Sequence, residues 1–106
     1  MAAVQQVLDR YRQMYGELDA GAVASFWPQA DVRALERVFA RLSRQELDFD
    51  ECVIAVLESS ATAQCAGWLR YVPRVGNTEL RSERHSWTIQ LQRADEAWTI
   101  VGVNAR

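Results

Sequence analysis

Lysine is absent from this chain, and all twelve of its basic residues are arginine. That absence excludes Schiff-base chemistry and the phosphate-loop lysine together. Histidine occurs once, at His85, so multi-histidine metal sites and mechanisms that pair two histidines also fall away. No apolar run approaches the roughly 20 residues that a membrane-spanning helix needs. The N-terminus lacks the basic-then-apolar layout of a signal peptide, so any export signal would have been trimmed. Net charge is -2, with arginines scattered along the chain, and this gives no counterion-release footprint for nucleic acid. Arg70, Arg74, Arg81 and Arg84 fall close together in sequence, and Glu79 and Glu83 are expected to neutralise them. Neither a cofactor nor a metal site is expected.

What is present suits one folded domain. With 106 residues, 49% of them hydrophobic and 25% charged, the chain can bury a single core. From Val4 the apolar residues fall at Val4, Val7, Leu8, Tyr11, Met14, Tyr15 and Leu18, the stripe of an amphipathic helix. Asp19 can cap a short second helix carrying Val23, Phe26 and Trp27, which Pro28 then discourages from continuing. Asp31 is a natural N-cap for a third helix, with Leu35, Val38, Phe39 and Leu42 on one face.

After Ser43 the helical period gives way to runs rich in β-branched and aromatic residues, separated by turn-forming clusters. Four strands are predicted, at about 46 to 57, 61 to 72, 80 to 92 and 97 to 105. They are linked by "ESSA", by "PRVGNTE" and by "RADE". Helices followed by strands with hairpin-length connections predict an α+β domain, in which an antiparallel meander folds against the helices.

The two cysteines fall within the first predicted hairpin. If it turns at Glu58-Ser59, paired residue numbers sum to 117, which sets Cys52 opposite Cys65, Ile54 opposite Ala63 and Phe49 opposite Trp68. A directly opposed antiparallel pair lies within disulfide range. The spacing is not Cys-x-x-Cys, and two thiols with one distant histidine make no recognisable zinc site. The competitor to a disulfide is a pair of small buried hydrophobes in a cytosolic protein, and a one-residue slip in register would separate the sulfurs onto opposite sheet faces. A disulfide would favour an extracytoplasmic compartment, and free thiols the bacterial cytoplasm.

The order of elements, with "VLDRYRQMYGELDAGAVASFWP" leading into a capped helix and a meander ending in "EAWTIVGVNAR", resembles the nuclear-transport-factor-2-like superfamily. Ketosteroid isomerases and SnoaL-type polyketide cyclases belong to it. More narrowly, "FWP", the two cysteines, "YVPRVG" and "W-T-I" look like small C-terminal accessory domains of larger bacterial proteins, including serine/threonine kinases. The resemblance implies a curved sheet wrapped around the helices as a cone, an apolar pocket at its mouth, and dimerisation through the outer sheet face. Candidate pocket-lining residues are Tyr11, Tyr15, Trp27, His85 and Trp87, and the candidate dimer face is Phe49, Val53 and Trp68. Tyr11 matches the position where isomerases place an oxyanion-stabilising tyrosine. In the isomerase and cyclase branches, however, a strand or hairpin between the second and third helices carries a catalytic carboxylate. Here only "PQA" separates Trp27 from Asp31.

That missing segment favours a non-enzymatic accessory domain that supplies a homodimerisation surface or a pocket for a small apolar ligand. The rival is a small-molecule isomerase or lyase. His85 is in phase with Trp87, Ile89 and Leu91, so it can face the interior and act as an acid or base. Asp48 and Asp50 share a predicted strand face and can form a carboxylate pair, or simply a solvated acidic rim. Trp27, Trp87 and Trp98 lie in apolar patterns, and Trp68 is expected on an exposed face.

Overall fold

The structure is a computed structural model that describes residues 2–106. Three helices, α1 (Ala2–Gly16), α2 (Ala20–Val23) and α3 (Val32–Ala40), precede four strands, β1 (Leu42–Leu57), β2 (Ser60–Pro73), β3 (Arg81–Ala94) and β4 (Ala97–Ala105). The strands form one antiparallel sheet in the order β1-β2-β3-β4. The helices cover its inner face, where Val4, Leu8, Val23, Phe26, Ile89, Leu91 and Ile100 make the fully buried heart of the core.

Local chemistry sets the helix boundaries. The Asp19 and Asp31 carboxylates each accept a backbone N–H three residues on, at 3.0 Å, and so cap α2 and α3. α1 ends at Gly16 and is closed off by Leu18, whose φ of 56° lets Asp19 N–H reach Met14 O, while Leu18 N–H reaches Tyr15 O. Val38 is half-exposed rather than on the packed face, and Leu42 begins β1. The buried stripe of α3 is Val32, Leu35 and Phe39, a narrower face than predicted because the helix has only nine residues.

The first hairpin turns at Glu58-Ser59, and Cys52 stands opposite Cys65 in a disulfide with Cα atoms 4.1 Å apart. Closing so short a loop stabilises the fold by about 3 kcal/mol at most. Upstream of the disulfide, the register changes. A β-bulge between Phe49 and Glu51 sets Phe49 opposite Gly67 and Asp48 opposite Trp68. Phe49 and Cys52 are an odd number of residues apart, so a regular strand would send them to opposite faces. The extra residue, Asp50, turns both inward. Phe49 therefore packs on Trp87, with ring centroids 5.0 Å apart, and does not join Val53 and Trp68 on the outer face.

The same bulge organises the outer face. Asp48 pairs with Arg70 and Asp50 with Arg84, and both guanidinium groups lie over the Trp68 ring, 5.8 and 5.4 Å from its centroid. These carboxylates, rather than Glu79 and Glu83, neutralise the two arginines. Asp48 and Asp50 are accordingly ion-paired on the sheet's outer side and do not form a free carboxylate pair.

The bulge requires Gly67. A Cβ built there would sit 1.8 Å from the Asp48 carbonyl oxygen and 3.0 Å from the Phe49 Cα, and both are backbone atoms that cannot rotate away. Gly67→Ala should lower unfolding free energy in urea by about 3 kcal/mol, near the upper end for overpacking. A loss below about 1 kcal/mol would show that the crossing relaxes freely.

Candidate functional site

Between the helices and the inner sheet face lies a cavity of about 290 Å³. It is lined by Tyr11, Tyr15, Trp27, Gln45, Leu47, Leu69, His85, Trp87, Val103 and Ala105. The five residues expected at a pocket thus share one cavity, and none of the lining side chains is a carboxylate or an arginine. Among the described residues no group of three or more histidine, cysteine, aspartate or glutamate side chains could hold a metal ion. Among the described residues, no helix is long and apolar enough to cross a membrane.

Each wall has a local cause. Tyr11 and Tyr15 are four apart on α1 and so point the same way. The end of α1 rests on β1, where the buried Gln45 amide donates to Tyr15 O at 2.9 Å and satisfies a helix-terminal carbonyl. The Phe39 ring from α3 meets Tyr15 edge-on at 5.2 Å. Trp27 is carried by the link after α2, which Ile100 N–H of β4 anchors by donating to Phe26 O at 2.7 Å. His85 and Trp87 alternate inward on β3, with ring centroids 5.7 Å apart.

The two phenols form a pair, with ring centroids 4.3 Å apart and ring planes tilted by 34°. Burial, reinforced by Tyr15 alongside, pushes the Tyr11 phenol well above the usual tyrosine range. Burial also raises Tyr15, against a smaller opposing effect of the adjacent Tyr11 phenol. Tyr15 is the less buried of the two phenols.

His85 has a partner that its sequence neighbourhood had suggested for another task. Its Nε2 lies 3.1 Å from Glu83 Oε2, and the Tyr71 hydroxyl donates to Glu83 Oε1 at 3.2 Å. The His85 hydrogen bond, with help from Tyr71, holds the Glu83 carboxyl below the usual carboxylate range. Glu83 and His85 are two residues apart on a strand and must share a face. That signal is legible in "ERH". Tyr71 becomes visible only through the β2–β3 register, which sets it opposite Arg81.

No protein-family model matches the sequence, and no curated protein matches it significantly. Solved structures do match. One is a nuclear transport factor 2 (NTF2-like) superfamily protein from Salmonella enterica, with a TM-score of 0.85 and 15% identity over 97% of this chain and 87% of that one. Another is a hexachlorocyclohexane dehydrochlorinase from Novosphingobium barchaimii, with a TM-score of 0.85 and 15% identity over 99% and 84%. A third is an uncharacterised protein with a cystatin-like fold from Caulobacter vibrioides, with a TM-score of 0.80 and 13% identity over 98% and 86%. At such identities the likeness is one of fold, and the chain has the nuclear-transport-factor-2-like α+β fold.

The tyrosine pair predicts an alkaline limit to stability. In the unfolded chain a phenol titrates near 10, whereas the folded state holds the Tyr11 proton to higher pH. The contribution of the neutral, buried phenol is therefore complete below about pH 10 and is lost as pH rises through the folded value. Tyr11→Phe should move the alkaline unfolding midpoint upward and cost only about 0.5 to 1.5 kcal/mol near neutrality. An unchanged alkaline midpoint would mean that Tyr11 is not the controlling phenol.

Proposed function

We propose that this domain binds a small, neutral, largely apolar molecule in the inner cavity and moves a proton on it, as an isomerase or lyase. The observation that carries the reading is the presence of one acid/base imidazole and one phenol pair in a cavity with otherwise uncharged lining. A volume of about 290 Å³ suits a ligand of one or two rings. With no arginine in the lining, an anionic ligand would meet no compensating charge. His85 would take the proton as general base. Tyr15, the less buried phenol of the cavity lining, would stabilise negative charge developing on the ligand.

The missing segment between α2 and α3 argued against catalysis, because relatives carry their catalytic carboxylate there. His85 on β3 offers a base from a different wall, which weakens that objection. One structural neighbour is named a dehydrochlorinase, a name that fits proton-moving chemistry in this fold. The likeness to C-terminal accessory domains of larger bacterial proteins, serine/threonine kinases among them, gains no support from the compared structures and forms no part of the proposal.

A second reading, compatible with the first, is a homodimer through the outer sheet face. Beside the ion-paired Trp68 lies a band of Val53, Ala55, Thr62, Gln64, Ala66, Ser86 and Thr88, with Val53 60% exposed and Glu51 as the carboxylate at its edge. A sheet face of small, mostly uncharged side chains suits packing against a second sheet. Phe49 no longer contributes to this surface, and Trp68 does so only beneath its arginines.

The catalytic reading predicts turnover on a panel of enolisable ketones and halogenated cycloalkanes. His85→Ala should cut the rate by about 10²- to 10⁴-fold. Tyr15→Phe should cost about 10²-fold, and more than Tyr11→Phe. Flat rates for all four proteins across the panel, with folding intact, would reduce the site to a binding pocket.

A further inference from the structure

The proposed base is held in an unusual way. Its carboxylate partner comes from its own strand, two residues upstream, and a tyrosine on the neighbouring strand fixes that carboxylate. An ionised carboxylate accepts hydrogen bonds and donates none, so the contact at 3.1 Å requires that His85 Nε2 carry the proton. The Tyr71 hydroxyl on the other oxygen, at 3.2 Å, restricts rotation of the Glu83 carboxylate. His85 itself stands opposite Gly67, whose Cβ side is filled by the Asp48 carbonyl of β1.

We propose that Tyr71 and Glu83 are positioning residues that lock His85 in the Nε2–H tautomer, so that Nδ1 is the nitrogen that takes the proton from the ligand. This rests on the proton-transfer reading of the cavity and adds to it the tautomer and its cause. In the step, a ligand C–H bond breaks, its proton bonds to Nδ1, and the electron pair remains on the ligand. The resulting imidazolium, protonated on both nitrogens, is paired with the Glu83 carboxylate and does not stand alone at the cavity wall. The charged or titratable groups around this pair are Tyr71 from β2, Arg81 on β3 itself, and Tyr11 and Tyr15 from α1. Arg81 reinforces the ionised carboxylate, and both α1 phenols stay neutral well past neutral pH.

Because the chain has a single histidine, its imidazole resonances need no assignment. Nitrogen-15 spectra of the intact protein near neutral pH should show a slowly exchanging proton on Nε2, with Nδ1 unprotonated. In Glu83→Ala that proton should exchange at least about ten-fold faster, which would correspond to about 1.4 kcal/mol of lost protection. Tyr71→Phe should give an intermediate rate and move the Glu83 carboxyl titration upward. Glu83 is half-exposed, so its replacement should leave the fold intact, and Glu83→Asp gives a second variant if it does not. Protection of Nε2–H that is equal in wild type and Glu83→Ala, or a proton found on Nδ1, would overturn the proposal. So would an unmoved Glu83 titration in Tyr71→Phe. Exchange of the α-protons of 2-tetralone in deuterated water separates the two levels. A fall in kcat at constant KM for Glu83→Ala supports positioning, and an intact Nε2–H lock without any exchange would remove the catalytic reading alone.

Discussion

The crossing of β1 over Gly67 is the constraint on which the rest of the molecule depends. A strand has a period of two, so the inward placement of both Phe49 and Cys52 demands one extra residue between them. Asp50 is that residue, and only a glycine opposite can let the bulged backbone come so close. From this one irregularity follow the Phe49–Trp87 contact that backs the cavity, the inward disulfide, and the two aspartates that pin arginines over Trp68. The space that a side chain at residue 67 would take, beside His85, is filled by the Asp48 carbonyl.

The disulfide and the ion pairs act on either side of the bulge, and they do so by different physics. Cys52–Cys65 fixes the register downstream by limiting the unfolded chain, independent of pH and salt over ordinary ranges. The Asp48–Arg70 and Asp50–Arg84 pairs are partly solvated, so each alone is worth little. Their stacking on Trp68 adds dispersion and cation–π attraction, and Asp50 reaches from β1 across β2 to β3. Together they cover an aromatic ring that would otherwise be an exposed apolar patch.

Much of this was legible in the sequence, for identifiable reasons. The change from a helical period to alternating β-branched residues after Ser43 marked the α+β order, and Asp19 and Asp31 marked the helix starts. The Glu58-Ser59 turn set the register correctly for Cys52 and Ile54 but not for Phe49, since a bulge is invisible to a constant pairing sum. The odd spacing of Phe49 and Cys52, two residues that both favour burial, was the available hint. In the site, Tyr11, Tyr15, Trp27, His85 and Trp87 could be named from face periodicity and family resemblance. Glu83 was instead assigned to the nearby arginines, because charge counting along a chain does not see that arginines 70 and 84 face outward while residue 83 faces inward. Val38 was misplaced because a nine-residue helix buries a stripe narrower than its apolar composition suggests.

The central claim is that the inner cavity is a ligand site and not a packing defect. The four tryptophans sit in three distinct places. Trp27 and Trp87 line the cavity, Trp98 is in the core, and Trp68 is under arginines outside. Titration with 2-naphthol, followed through the four indole N–H resonances and the His85 imidazole, reads these places separately. The account predicts saturable shifts of Trp27, Trp87 and His85 with Trp68 and Trp98 unmoved. Shifts confined to Trp68, or none at concentrations approaching the solubility of the probe, would contradict it.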